Sequence, residues 1–308
     1  MRPLPLLACG LLLAGCGSAT SAPPGADPGP AERPTAVPAA DGPVTTTYGV
    51  TVIDDGTPHA CLGGVADSLP PQCGAGIPLA GWAWAAHEGS YETEGDVRYG
   101  EYVLVGTFDG TTLTVTGTLD PDQSPRPEPA SPFVTPCPEP AGGWVPSDPA
   151  RSGERSLREL QRMAQQRDDF ALLWVDQSIN PAYDQMATAS PGLEIEQQMN
   201  DPRLEIVNIQ VTGDPMAADT EFRSVWGGSL CVTKVRHTET ELLAIQRETT
   251  DLPGFQGSSG VTIENRGELS VTYDDGSYQR WVDAMYGAGT VVVVSLLTPV
   301  GRPAPTSG

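Results

Sequence analysis

The sequence is almost without lysine. Lys234 is the only one in 308 residues, and Lys and Arg together number 17 against 39 Asp and Glu. The formal charge of -22 argues against nucleic acid as a partner, because phosphate binding is carried by Lys and Arg. A Gly-rich phosphate loop ending in Lys is absent, as are a dinucleotide fingerprint and an H-E-x-x-H pair. Only three histidines occur, His59, His87 and His237, and they have no regular metal-ligand spacing. The six cysteines include no C-x₂₋₄-C pair, so the common zinc spacings are missing too. The N-terminal apolar run Leu4 to Leu13, broken by Pro5, is too short to span a bilayer, which needs about 20 apolar residues.

That short run, preceded by Arg2, has the length of a secretory h-region. It ends in Leu13-Ala14-Gly15-Cys16, which resembles a bacterial lipobox. The resemblance implies cleavage before Cys16, a diacylglyceryl group on its thiol, and acyl chains such as palmitate in the lipid bilayer. Two chains on one residue anchor stably where one binds only marginally. A plain secretion signal cut near Ala22 is the alternative reading. Residues 1–15 are then the signal peptide, and Cys9 leaves with it. Residues 16–43 are rich in Pro, Ala and Gly and predict a disordered tether of about 80 Å if fully extended. Abundant Ala, 35 Gly and 31 Pro, with Arg in place of Lys, suggest a GC-rich genome such as an actinobacterium's.

With Cys9 lost and Cys16 acylated, four cysteines remain to pair, and an exported protein sits where disulfides persist. Three connectivities are open to them. Cys61 and Cys73 bracket a short loop and cost the least closure entropy to join. Cys137 and Cys231 are left to staple the Pro-rich segment 121–150 to the C-terminal half of the chain.

The expected fold class is α+β. Residues 44–120 predict a small all-β domain, a barrel or OB-like. Its strongest signal is "YGEYVLVGTFDGTTLTVTGTL", two alternating runs about an Asp109-Gly110 turn. Residues 121–150 predict an ordered strap. Residues 151–300 predict an α/β sandwich, ferredoxin-like with split βαβ units, and 301–308 a disordered tail. Within the sandwich, Asp214-Pro215 opens a helix expected to reach Trp226, and Thr238-x-x-Glu241 is a capping box. A hairpin is expected over 261–273. "LEIVNIQVTGDPMAADTEFRSVWGGSLCV" and "ELSVTYDDGSYQRWVDAMYGAGTVVVV" share one order of elements, with Tyr286-Gly287 standing where Trp226-Gly227 stands.

No complete catalytic constellation emerges. "GFQGSSG" is out of frame for a nucleophile elbow and reads as a polar turn. "DPDQSPRPEPAS" fails as a calcium loop, with Pro125 at the glycine position and Ser131 at the glutamate position. Asp54-Asp55-Gly56 and Asp274-Asp275-Gly276 read as turns. His237 precedes the capping box and reads as structural, His87-Glu88 as a surface pair. Trp82, Trp84 and Trp144 suit core packing better than a ligand groove.

At "SPFVTPCPEPAGGW", "DDFALLWVDQSINPAYD" and "ELLAIQRE" the chain resembles actinobacterial lipoproteins and secreted proteins that carry no assigned activity. "FALLWVDQ" with "LEIVNIQVTGD" is similar to strand pairs in pro-regions of secreted serine proteases. The expected function is a non-catalytic, membrane-anchored binding module, with no cofactor and no metal. An envelope protein or peptide is the expected partner. The alternatives are a hydrolase with a carboxylate site and an inhibitor or pro-region-like module that masks a partner through a sheet edge.

Overall fold

A computed structural model describes residues 31–119, 133–183 and 192–301. The expected signal peptide, the expected lipidation residue Cys16 and most of the expected tail lie outside the described residues. The described chain is mixed α+β, mostly sheet with some helix.

Nine strands come first: β1 (Val44–Thr46), β2 (Val50–Asp54), β3 (Pro58–Cys61), β4 (Val65–Ala66), β5 (Gln72–Cys73), β6 (Gly76–Ala80), β7 (Glu92–Glu94), β8 (Val97–Phe108) and β9 (Leu113–Leu119). Five of them close on themselves in the order β8-β2-β3-β6-β9-β8. The β6–β9 junction is parallel and the others are antiparallel. Val50, Val52, Ala60, Leu79, Leu104 and Leu113 fill the interior of this ring, as strand alternation requires. Strand β8 is long enough to serve two neighbourhoods because it bends at a bulge between Val105 and Gly106. A Cβ on Gly106 would collide with the Thr114 carbonyl on β9, so only glycine fits the bend. One 3₁₀ turn, Trp84–His87, packs Trp84 into the ring's core cluster, with the indole donating to Asp54 Oδ2 at 2.7 Å.

The remaining chain makes two units with the same plan. The first has α1 (Glu154–Gln165), β10 (Phe170–Asp176), a seven-residue α2 (Leu193–Met199), β11 (Ile206–Val211), α3 (Pro215–Phe222) and β12 (Ser229–Lys234). The second has α4 (Glu239–Thr249), β13 (Phe255–Ser259), β14 (Gly267–Val271), α5 (Ser277–Tyr286) and β15 (Val291–Ser295). Leaving out α2, each reads αββαβ, and each sheet has one antiparallel and one parallel junction. The likeness extends to single hydrogen bonds. Phe170 pairs with Val211 and Phe255 with Val271, each just before a register shift. Thr212 N donates to Asp169 O at 2.9 Å, and Thr272 N to Gly254 O at 2.8 Å. Val235 N donates to Val211 O and Leu296 N to Val271 O, both at 2.9 Å. Leu160, Phe222 and Trp226 build the first core, and Leu252, Tyr278 and Trp281 the second.

This corrects several expectations. The strands divide into two three-stranded sheets, where a ferredoxin-like sandwich would have one. Helices α1 and α4 lead the two units, each followed by the strand that pairs antiparallel with the next. Helix α3 stops at Phe222, where the chain turns so that Trp226 can bury its ring and donate to Ser229 O. The hairpin lies at 255–271 rather than 261–273. Phe255–Ser259 is strand β13 in spite of its Gly-Ser composition, because register against β14 outweighs weak strand propensity. The last strand, β16 (Leu297–Pro299), leaves the second unit and pairs with β1, so the unit's boundary near 300 is not a closed one.

The tether expectation also changes at its C-terminal end, for residues 31–43 lie on the folded body. Val37 and Ala40 pack on the ring core, and Ala31 on the second unit's core. Ala40 N donates to Phe108 O at 2.9 Å, and Arg33 pairs with Asp251 while its guanidinium lies 5.4 Å from the Trp281 ring centroid. Residues 133–148 lie against the first unit. Thr135 N donates to Asp176 Oδ2 at 2.7 Å, and Asp148 N to Gly227 O at 3.0 Å.

Candidate functional site

A cleft of about 610 Å³ opens where three parts of the chain meet: residues 41–44, the β14–α5 turn, and β15 with β16. The turn is built by Asp274, whose Oδ1 accepts from Gly276 N at 2.8 Å and Tyr278 N at 3.0 Å. Gly276 has φ of 93°, a value glycine adopts without strain. The Asp274 N–H donates to Ser295 Oγ at 2.9 Å, tying the turn to β15. Burial pushes the Asp274 carboxyl above its ordinary value and outweighs the backbone donors that favour the charged form. Asp275, exposed beside it, is held below the ordinary range by its hydrogen bond to Ser277, with the charge of Arg280 adding to the effect. Asp41 faces the same cleft; no Lys, Arg or His is among its described lining residues, and the Arg280 guanidinium stands beside Gly276 at its edge. Two adjacent carboxyls displaced in opposite directions can divide acid and base roles. Here both already serve the start of α5. The Ser295 hydroxyl donates to Leu297 O at 2.6 Å.

A second groove, of about 440 Å³, lies on the ring beside Tyr91, Glu92, Tyr99 and Glu101. Behind it Trp82 stacks on His87 at 4.2 Å between centroids and meets Trp84 edge-on at 5.3 Å. Trp84 is buried core, whereas Trp82 and His87 are half-buried.

His237 occupies the link between the two units. Its Nε2 lies 3.3 Å from Thr290 Oγ1 and its Nδ1 4.0 Å from Glu241 Oε2. This row has the outline of a nucleophile–base–acid relay, but Thr290 is buried at 1 % exposure and its hydroxyl donates to Tyr286 O. A buried hydroxyl with its proton committed cannot meet a substrate. Burial first, then Arg236, hold the imidazole below its ordinary pKa. The capping box is formed as expected, with Glu241 N donating to Thr238 Oγ1 at 3.2 Å.

Cys61 is bonded to Cys73 and Cys137 to Cys231. His59 lies beside the first pair, a neighbour that spacing along the chain did not reveal. Among the described residues it is the only group of three or more His, Cys, Asp or Glu whose ligand atoms converge. Ser258 of the "GFQGSSG" stretch accepts from Gln246 Nε2 at 3.1 Å. Asp54 and Trp84, expected as a turn residue and a core residue, are joined by the indole hydrogen bond described above. No described helix is long and apolar enough to cross a membrane. No protein-family model matches the chain, and no curated protein sequence matches it.

Proposed function

We propose that the protein is an extracytoplasmic lipoprotein, held in the membrane through Cys16 and acting as a non-catalytic binding module. We read the five-stranded ring as an OB-like barrel, a reading supported by the closure of its five strands through the β8–β9 pairing. The observation that carries the function is the seam cleft. It is assembled from residues far apart in the chain, and its described lining offers the carboxylates of Asp41, Asp274 and Asp275, outnumbering the Arg280 guanidinium that reaches Asp275 from α5. Such a lining suits a ligand with a cationic group, such as a basic segment of an envelope protein or peptide. The cleft's hydrogen bonds leave it acceptors to offer and no activated nucleophile, which supports binding over hydrolysis.

Titration calorimetry with a tetra-lysine peptide tests the ligand class. Saturable binding by the full chain that weakens at least fivefold in Asp41→Asn and Asp275→Asn supports the cleft. Binding unchanged in both variants would assign the peptide elsewhere. The anchor is tested separately: labelled palmitate should enter the wild-type protein and not Cys16→Ser.

A further inference from the structure

We infer that His59, Cys61 and Cys73 form a zinc site that the Cys61–Cys73 disulfide keeps closed and a dithiol reductant opens. The inference stands independently of the membrane anchor and of the seam cleft.

Strand alternation puts His59 and Cys61, two residues apart on β3, on one face of the sheet. Cys73 reaches them from β5. One ligand atom from each residue lies within 4.8 Å of the other two. In a tetrahedral zinc dithiolate with Zn–S of about 2.3 Å the two sulfurs stand about 3.8 Å apart, which fits within that span. One ring nitrogen of the histidine is already engaged. Its Nδ1 is 3.1 Å from Thr57 O, so Nδ1–H donates to the carbonyl and leaves the lone pair on Nε2. Metal-bound histidines are held in this way, one ring nitrogen on a backbone carbonyl and the other on the metal. Space is provided by Gly76 on the neighbouring strand. A Cβ there would stand 3.0 Å from Cys73 Sγ and 3.1 Å from His59 Cδ2. Cys61 is buried, while His59 and Cys73 are half-buried, so a reductant can reach the Cys73 sulfur. The Cys137–Cys231 bridge has no such neighbours: no group around it converges among the described residues.

The chemistry balances in two steps. A dithiol reductant attacks the bridge and leaves as its own disulfide, passing two electrons and two protons to give the Cys61 and Cys73 thiols. Zinc then displaces one proton from each thiol and binds two thiolates and His59 Nε2, with water in the fourth position. The oxidised chain offers no thiolate and binds no zinc here.

The test uses the full chain, oxidised and after phosphine reduction under argon, with zinc titrated against a chromophoric chelator. The reduced protein should hold one zinc at this site, and the oxidised protein none. His59→Gln, which leaves all four cysteines in place, should weaken zinc at least tenfold. Cys73→Ser, at the half-buried position, should abolish binding at this site, and cobalt should give a thiolate charge-transfer band in the reduced wild type that Cys73→Ser lacks. Equal zinc affinity in the oxidised and reduced chains would overturn the inference. So would reduced affinity unchanged by His59→Gln, because the metal would then sit on thiols elsewhere.

Discussion

The two αββαβ units share a plan and differ in what covers them. The first is overlain by residues 133–148, fixed covalently through Cys137–Cys231. The second is overlain by residues 31–36, held by Arg33 on Asp251 and Trp281 and by Ala31 packed on its core. They differ again at the parallel strand. Gln279 of α5 lies along the outer edge of β15, donating to Val291 O at 3.0 Å while its carbonyl accepts from Val293 N at 2.8 Å. A side chain thus stands in for a further strand and blocks pairing there. The counterpart in the first unit, counting from the aligned Asp214 and Asp274, is Asp219, which lies 3.6 Å from Arg223 instead. One duplicated plan therefore carries a covalent strap on one copy, and a guarded edge with an open cleft on the other. Edge guarding at β15 weighs against a partner strand adding there, as the inhibitor reading would need.

The contrast between the units is disturbed most severely by removing the staple. Cys137→Ser with Cys231→Ser opens a loop of 94 residues, for which the chain-entropy model gives a loss of about 4.7 kcal/mol. Urea unfolding should show the first unit melting before the second. A loss shared equally by both would mean the units are not separately stabilised.

Trp226 and Tyr286 occupy matching places, but Trp226 is 0 % exposed and Tyr286 is half-buried. Trp226→Ala should cost about 4 kcal/mol through its cavity, and Tyr286→Ala about 1 kcal/mol. Comparable losses in chemical denaturation would show that the second unit depends on this position as the first does.

Gln279→Ala leaves Val291 O and Val293 N without their partner and should cost about 2 kcal/mol. It should also promote self-association in sedimentation velocity. Asp219→Ala removes only a partly exposed ion pair and should change stability by under about 0.5 kcal/mol.

The smallest effects are in pH dependence, and they have opposite signs in the two units. At Asp176, buried in the first unit, burial raises the carboxyl pKa, but hydrogen bonds from Ser178 and Thr135 outweigh it and leave the value lowered. Its contribution is present above the unfolded value near 3.8 and is lost as pH falls through the folded one. Asp274 is raised by burial, so its contribution is full below about 3.8 and is lost as pH rises through the folded value. Asp176→Asn should lower the melting temperature at pH 7, whereas Asp274→Asn should hold or raise it. Equal shifts of one sign would contradict the two environments.

Much of this architecture was legible in local chemistry. The Asp109-Gly110 hairpin, the Thr238 capping box and the Asp214-Pro215 helix start each rest on a few neighbouring residues, and each formed. The shared order of the two segments and the helix opened by Thr238 were visible, but the strand β13 that follows that helix was not, because "FQGSS" has none of the apolar alternation that marks a strand. The packed segment 31–43 was hidden for a similar reason. Pro and Ala spacing resembles a solvated tether until Arg33 and Val37 meet partners more than 200 residues away. Of the candidate site, Asp274 was read as a turn residue, which it is. Its cleft needed Asp41 and Ser295, brought to it only by the return of β16 to β1. His59 beside Cys61 could have been read as a same-face pair on a strand; its meeting with Cys73 depended on the disulfide.

The proposed anchor would decide where every one of these surfaces operates. Mass spectrometry of the N-terminal peptide from membrane-fraction protein tests it directly. The predicted result is a first residue of Cys16 carrying a diacylglyceryl group. A mature chain that starts beyond Cys16, unacylated and recovered from the medium, would contradict it.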